Sequence, residues 1–383
     1  MFIFWATPLL IIIFSFISYS NVFLIIFESL LFISFFLRSS RKLKKPKTPV
    51  KEYPFVSIIV PMRNEEKNVV SCINSLAALN YENLEIIIAN DSSTDNTKNF
   101  VLETIKKFSS KISIKIFDVP TPPKEWLGKP WAVNEAVKLT KGKLMLIVDA
   151  DVRLKPESLK NSVNHLLASE AEILFRFSRL IIRKWRDWPF LFLNFIFRFS
   201  FWFSSLLEVE QSPVSWGENI LLYKNTYDEI GGYEKVKNYV PEIQAFIKIA
   251  INLKKKVAVV DENSSGISVF LYDNFKESLK GIIRSMDFRL VNFSSFATTF
   301  ILVAFSIDGV IKILTGFPEG GFSSYAIFVF IFGLYLLLNR QPVYIAVFSP
   351  ILGFYVIIVF IIAGFCSFFK KSITWKDRVV KLT

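Results

Sequence analysis

The sequence contains one histidine, two cysteines and 14 glycines among 383 residues. With His165 alone, histidine-rich metal centres and a Ser-His-Asp hydrolase are all but excluded, and His165, in an apolar helical stretch, reads as a packed or surface side chain. Cys72 falls in a predicted soluble helix and Cys366 in a predicted membrane run, so the two are not expected to meet. No C-x-x-C spacing offers a metal or redox centre, and a reduced compartment fits. Neither G-x-G-x-x-G nor G-x-x-x-x-G-K-[ST] follows any predicted strand, which disfavours a dinucleotide fingerprint and a P-loop.

Apolar sequence is what abounds. The chain is 52% hydrophobic with 41 Phe, too apolar for one soluble domain, yet its middle is too charged for a membrane bundle. Residues 2–37 are almost unbroken apolar sequence, and runs near 290–315, 322–338 and 343–369 each approach the ~20 residues that cross a bilayer. As one helix the first stretch would be about 54 Å long, against a hydrocarbon core of ~30 Å. Tyr19-Ser20-Asn21 is read as its divider, giving two short spans or one span plus an interfacial helix. No charged segment precedes the run, so a retained anchor is expected rather than a cleaved signal peptide.

The formal charge is +13, but the cations gather where the chain leaves the apolar runs: Arg38, Arg41, Lys42, Lys44, Lys45 and Lys47, then Lys370, Lys371, Lys376 and Arg378. This positive-inside pattern predicts a multi-pass protein of the cell membrane with its central domain in the cytoplasm, and no nucleic-acid partner. Three C-terminal crossings would leave the basic tail outside. A cytoplasmic tail is expected instead, with one run re-entrant, since Ser349-Pro350 interrupts the last run and Asp308 burdens the first. The expected division is a membrane anchor over 1–37, a basic linker over 38–53, a central domain over 54–287, transmembrane helices over 288–369 and a basic tail over 370–383.

Inside the central domain, β-rich runs at 55–60, 84–89, 112–117 and 144–148 alternate with helical patterns near 65–78, 95–108 and 130–140. The strand runs are continuously apolar, as expected when helices cover both faces, so an α/β fold with a parallel, doubly wound sheet is predicted. Ligands of such sheets sit beyond the carboxyl ends of the strands. The first strand ends in "PMRNEE" (Pro61, Arg63, Asn64, Glu65), the second in "NDSSTD" with Asp91, and the fourth in "DADVR" with Asp149 and Asp151. Each cluster alone also reads as helix-capping chemistry; their convergence on one edge points to a nucleotide-diphosphate site.

Breaking a nucleotide–sugar bond leaves negative charge that a divalent cation stabilises. Mg2+ or Mn2+ takes oxygen ligands, and Asp149 and Asp151, read as lying on the same side of a strand end, supply the carboxylates. Asp91 can accept a hydrogen bond from a base imino group. Lys129, beside Gly128, reads either as a phosphate partner or as a solvated lysine at a helix start.

"VSIIVPMRNEE", "IIIANDSSTDNT", "WLGKPWAVNEA" and "LMLIVDADVRLKP", in this order, resemble the inverting family 2 glycosyltransferases of GT-A fold, a Rossmann-like, mostly parallel sheet. "WLGKPWA" and the terminal "ITWKDR" resemble the membrane-bound branch associated with hopanoid and carotenoid glycosylation. The resemblance covers about residues 54–290 and implies a nucleotide-diphosphate sugar donor, a divalent metal, and inversion on transfer to a hydroxyl. It also implies a Glu-Asp pair carrying the base. Here the matching stretch is "YVPEIQAFIKIA", with Pro241 in place of the Glu and Glu242 in place of the Asp. A positioned carboxylate suits a general base, although Pro and an acid are also favoured in the first turn of a helix. Glu218 is the reserve candidate. No Q-x-x-R-W element follows, which argues against a polymerising enzyme; Arg284, in "LKGIIRSMDF", reads either as a diphosphate contact or as a membrane-surface arginine.

Residues 185–207 are rich in aromatics and interrupted by Arg198, and are read as an interfacial helix that serves a lipid acceptor, with Trp185, Trp188 and Trp202 at the boundary. The leading expectation is transfer of one sugar to a membrane lipid hydroxyl. The alternatives are a polyprenyl-phosphate sugar synthase, and a non-catalytic membrane protein that retains the fold.

Overall fold

The computed structural model describes residues 50–108, 112–206, 219–240, 242–260, 266–270, 277, 280–281, 293–365, 372–375 and 378–381. The predicted N-terminal anchor therefore lies outside the described residues. They fall into two compact units. One holds the described parts of Lys42–Trp185, Gln211–Asn292 and Val359–Thr383, the other those of Arg186–Glu210 and Phe293–Ile358.

The first unit is built on a seven-stranded sheet in the order β3-β2-β1-β4-β8-β6-β9. Its strands are β1 (Val56–Met62), β2 (Leu84–Asn90), β3 (Ser113–Asp118), β4 (Leu144–Val148), β6 (Ile173–Arg176), β8 (Asn219–Tyr223) and β9 (Val257–Val260). The helices α1 (Val69–Ala77), α2 (Thr97–Lys106) and α3 (Gly128–Val137) alternate with the first four strands, followed by α4 (Ser158–Ser169). The first predicted helix thus starts at Val69 rather than near 65, because residues 63–68 form an irregular turn at the sheet edge.

β1, β2, β3 and β4 are mutually parallel, and β6 is parallel to β9. β8 runs antiparallel to both β4 and β6, so the sheet is mostly rather than wholly parallel. The central strands are apolar throughout because both faces are covered: Ile58, Ile59, Ile86, Ile87, Leu146 and Ile147 are fully buried. Pro61 is tolerated in β1 because the β4 ladder has already ended at Ile59↔Ile147, so no bond on that side is lost.

A polar knot closes the base of this sheet. Ser57 Oγ donates to Glu85 Oε1 at 2.8 Å, and the Lys141 and Gly142 amides donate to Glu85 Oε1 and Ser57 Oγ, each at 2.8 Å. Gly142 is required there, since a Cβ would stand 2.5 Å from the Ser57 nitrogen. Cys72 is buried on α1, and burial pushes its thiol up to about 12, which makes it inert packing.

A second, three-stranded sheet orders β5 (Val152–Leu154), β10 (Ile267–Phe270) and β7 (Arg179–Ile181). Beyond β8 come α6 (Lys224–Ile230), a 3-10 turn over Gly232–Val236 and α7 (Glu242–Asn252). Strands β11 (Ser372–Trp375) and β12 (Arg378–Lys381) pair as a hairpin.

The second unit is helical: α5 (Trp188–Leu206), α8 (Phe293–Leu314), α9 (Pro318–Leu338), a 3-10 turn over Val343–Phe348 and the start of α10 (Ser349–Phe365). Phe195 of α5 packs on Phe328, Phe332 and Tyr335 of α9 at centroid distances of 6.1, 5.0 and 5.1 Å. The Tyr335 hydroxyl donates to Asn194 Oδ1 at 2.9 Å, which satisfies two polar groups in an apolar setting. α8 and α9 cross where Gly309 and Gly321 meet; a Cβ on Gly321 would lie 2.6 Å from the Gly309 carbonyl. Gly320–Leu338 and Val343–Ala363 are long and apolar enough to cross a membrane. Within α8 the buried Asp308 pairs with Lys312 at 2.8 Å, one turn on.

Candidate nucleotide-sugar site

The carboxyl ends of β1 and β2 are joined by side chains. Arg63 Nη1 donates to the Asp91 and Ser92 carbonyls at 2.8 and 3.0 Å. The Asn64 amide donates to Ser93 Oγ at 3.1 Å, and Asn64 Oδ1 accepts the Thr94 amide at 2.8 Å. Asn64 and Ser92 both adopt left-handed backbone, with φ of 49° and 50°, a conformation that costs energy outside glycine. Glu65 accepts from the Asn68 side chain at 2.8 Å, while its own amide donates to Thr97 Oγ1 at 2.7 Å. Asp91 is buried, and its amide donates to the Met62 carbonyl at 2.8 Å.

Asp149 and Asp151 do not lie on a strand. They occupy the turn from β4 to β5, closed by the Val152 amide donating to the Asp149 carbonyl at 3.2 Å. Their shared location comes from this turn and not from strand alternation. The turn is fastened to the first cluster by Arg153, whose Nη1 donates to the Ala150 carbonyl at 2.8 Å and whose Nη2 donates to Asn68 Oδ1 at 3.1 Å.

Lys129, the second residue of α3, joins the turn to a distant part of the chain. Its Nζ lies 2.7 Å from Asp149 Oδ1 and 2.7 Å from Glu242 Oε1. Glu242 is the first residue of α7 and is buried. Burial alone would lower the Lys129 ammonium, but the charges of Asp149 and Glu242 prevail and hold it above the usual lysine range. Burial pushes the Asp149 carboxyl upward; the Glu242 charge adds to this and the Lys129 ammonium opposes it. Lys129 is therefore an ammonium shared by two acids.

The geometry thus brings Lys129, Asp149 and Glu242 into contact, places Asp151 on the same turn as Asp149, and ties Pro61, Arg63, Asn64, Glu65 and Asp91 into the adjoining edge. Arg284, Glu218 and Pro241 lie outside the described residues. Arg153 was not singled out from the sequence; its place two residues after Asp151 was the available signal. Nor was Tyr233, which is buried against Phe246 of α7; the Gly231-Gly232 pair ahead of it was the available cue.

Among the described residues no cluster of three or more His, Cys, Asp or Glu side chains can hold a metal. Two carboxylates on one turn still suit Mg2+ or Mn2+, which takes one or two protein carboxylates and completes its shell with phosphate oxygens and water. Two carboxylates facing one ammonium also leave negative charge uncompensated at this place.

Residues 57–213 match the profile of glycosyl transferase family 2. A poly(ribitol-phosphate) beta-N-acetylglucosaminyltransferase of Staphylococcus aureus is 31% identical over 120 residues, which is 31% of this chain and 20% of that protein. A beta-monoglucosyldiacylglycerol synthase of Nostoc is 31% identical over 112 residues, 29% of this chain and 23% of that protein. The aligned stretch thus spans under a quarter of each of these relatives. A mannosyltransferase from Pyrobaculum calidifontis, solved with GDP-Man and Mn2+, superposes with a TM-score of 0.53 at 14% identity, covering 91% of this chain and 98% of that one. This likeness establishes a GT-A-like α/β fold.

Proposed function

Starting from a chain that carries a family 2 glycosyltransferase domain, we propose that it moves a single sugar from a nucleotide-diphosphate donor to the hydroxyl of a membrane lipid, with inversion and metal assistance, at the cytoplasmic face of the cell membrane. The observation that carries this reading is the Lys129 ammonium shared between Asp149 and Glu242. It supports the reading by bringing a cation suited to a diphosphate, an acid suited to a divalent metal and a general-base candidate within one side chain's reach.

Asp149 and Asp151 would hold Mg2+ or Mn2+, which supplies charge stabilisation for the departing diphosphate. Asp91, with Pro61, Arg63, Asn64 and Glu65 around it, would form the wall for the nucleoside. Lys129 turns from Glu242 toward the diphosphate and leaves Glu242 free to act. Glu242 takes the proton of the acceptor hydroxyl as its oxygen bonds the anomeric carbon, on the face opposite the breaking bond to phosphate. Arg284 is assigned to the diphosphate on the resemblance alone.

Three observations support the lipid acceptor and the membrane-bound branch: the two helices long and apolar enough to cross a bilayer, the aromatic-rich α5 read as interfacial, and the name of the Nostoc relative. The metal and donor find support in the ligands of the Pyrobaculum structure. Membranes containing the protein, incubated with a panel of radiolabelled nucleotide sugars, should yield one labelled lipid whose linkage is inverted relative to the donor. Label that stays in the water-soluble fraction with every donor would defeat the lipid assignment.

A further inference from the structure

Three aromatic rings pack together at α7, the helix that Glu242 opens. Tyr227 of α6 and Phe246 of α7 are stacked at 5.6 Å, and the Tyr233 ring sits 5.8 Å from the first and 5.6 Å from the second. Phe246 is one helical turn beyond Glu242, so the two buried side chains share a face of α7, and the Tyr233 ring packs on Phe246 there. The arrangement is fixed from several sides. The Tyr233 amide donates to the Tyr227 hydroxyl at 2.9 Å. Gly232, with φ of 62°, makes the turn where a Cβ would stand 2.8 Å from the Tyr227 ring. At the end of the same 3-10 turn, the Lys237 carbonyl accepts the Leu127 amide at 2.8 Å, next to the start of the helix that carries Lys129.

The Tyr233 side chain is wholly buried, and its hydroxyl finds no hydrogen-bond partner among the described residues. A buried phenol without a partner is costly, and phenylalanine would fill the same space without that cost. Burial, and after it the Glu242 charge, pushes the phenol well above its ordinary range, so it stays protonated and can only donate to an anion. Glu242 is the strongest charge it senses, followed after Tyr227 by Asp149.

We propose that Tyr233 is a positioning residue for Glu242: when Lys129 turns to the donor diphosphate, the Tyr233 hydroxyl donates to the carboxylate that the ammonium has left and keeps it aimed at the acceptor. The proposal rests on the reading of Glu242 as the base. It gives the buried hydroxyl of Tyr233 an acceptor in the working state, where Glu242 has been released from its present contact with Lys129.

Tyr233→Phe in the full chain removes one oxygen and retains the ring. The expected result is a kcat about 10- to 100-fold lower, in the range of other supporting hydrogen bonds to reacting groups, with donor and acceptor KM unchanged. Donor binding by calorimetry and the thermal midpoint should hold or rise, which separates the effect from misfolding. In a Glu242→Gln background the same change should produce no further loss, because Tyr233 acts through Glu242. A wild-type kcat in Tyr233→Phe, or an undiminished further loss in the Glu242→Gln background, overturns the proposal while leaving the base assignment intact. Full activity in Glu242→Gln alone would remove the base assignment, and this proposal with it.

Discussion

The ammonium of Lys129 lies 2.7 Å from Glu242 Oε1, joining the head of α3 to the head of α7. In the mechanism proposed above, an entering diphosphate would draw Lys129 away and free Glu242 at the moment a donor is present. On that mechanism, donor binding and base activation would be one movement.

Replacing Lys129 by Met should lower kcat/KM by about 10²- to 10³-fold, the scale for losing one preorganised group on developing charge. Arg at this position should restore little, since a planar guanidinium cannot replace a compact ammonium between two carboxylates. Steady-state kinetics with the labelled donor reads both effects.

Asp149→Asn and Asp151→Asn should each weaken Mn2+ binding in the presence of the nucleoside diphosphate, measured by electron paramagnetic resonance, and abolish chelator-sensitive donor hydrolysis. Retained Mn2+ affinity in both variants would remove the turn between β4 and β5 as the metal's seat.

Glu242→Gln should reduce transfer to a lipid hydroxyl by about 10²- to 10⁴-fold, the contribution expected of a general base. Turnover with a lipid phosphate at near-normal rate would instead identify an acceptor that is already an anion.

Acid stability should depend on Asp95. Its Oδ1 accepts the Thr97 amide at 3.0 Å and its Oδ2 the Glu66 amide at 3.2 Å. Burial raises its carboxyl, but a hydrogen bond from the Thr97 side chain, together with these backbone amides, outweighs burial and leaves it below the usual range. Because the folded-state value is depressed, the stabilisation is present above the unfolded value of ~3.9 and is lost as pH falls through the lower folded value. Urea titrations between pH 7 and pH 3 should therefore show a smaller acid-induced drop for Asp95→Asn than for the natural chain.

Gly142→Ala should unfold the sheet domain more readily, because its Cβ meets backbone at 2.5 Å on Ser57 and 2.6 Å on Leu144 rather than a movable side chain. A loss of about 1–3 kcal/mol is expected for such overpacking, visible as a lower melting temperature.

The sheet was legible where burial on both faces wrote continuous apolar runs, as in β1, β2 and β4. The reversed direction of β8 was not, because the run "NILLY" is equally apolar whichever way it lies. Proximity in sequence marks Asp149 and Asp151 as a candidate pair, but the strand-end geometry expected for them gives way to a turn, which their local sequence does not reveal. The meeting of Lys129 with Glu242 was beyond the sequence, since neither residue carries local information about the other. Tyr233 was hidden for a different reason: a tyrosine whose hydroxyl meets no partner among the described residues looks, in a sequence, like any other core aromatic.

The twin left-handed bends at Asn64 and Ser92 prop one another, for each offers atoms that the neighbouring loop requires. Neither can relax alone. On the proposed reading of these loops as the nucleoside wall, changes of preference during evolution should arrive in couples, one in each loop, and a laboratory search that randomises a single loop would sample mostly broken walls.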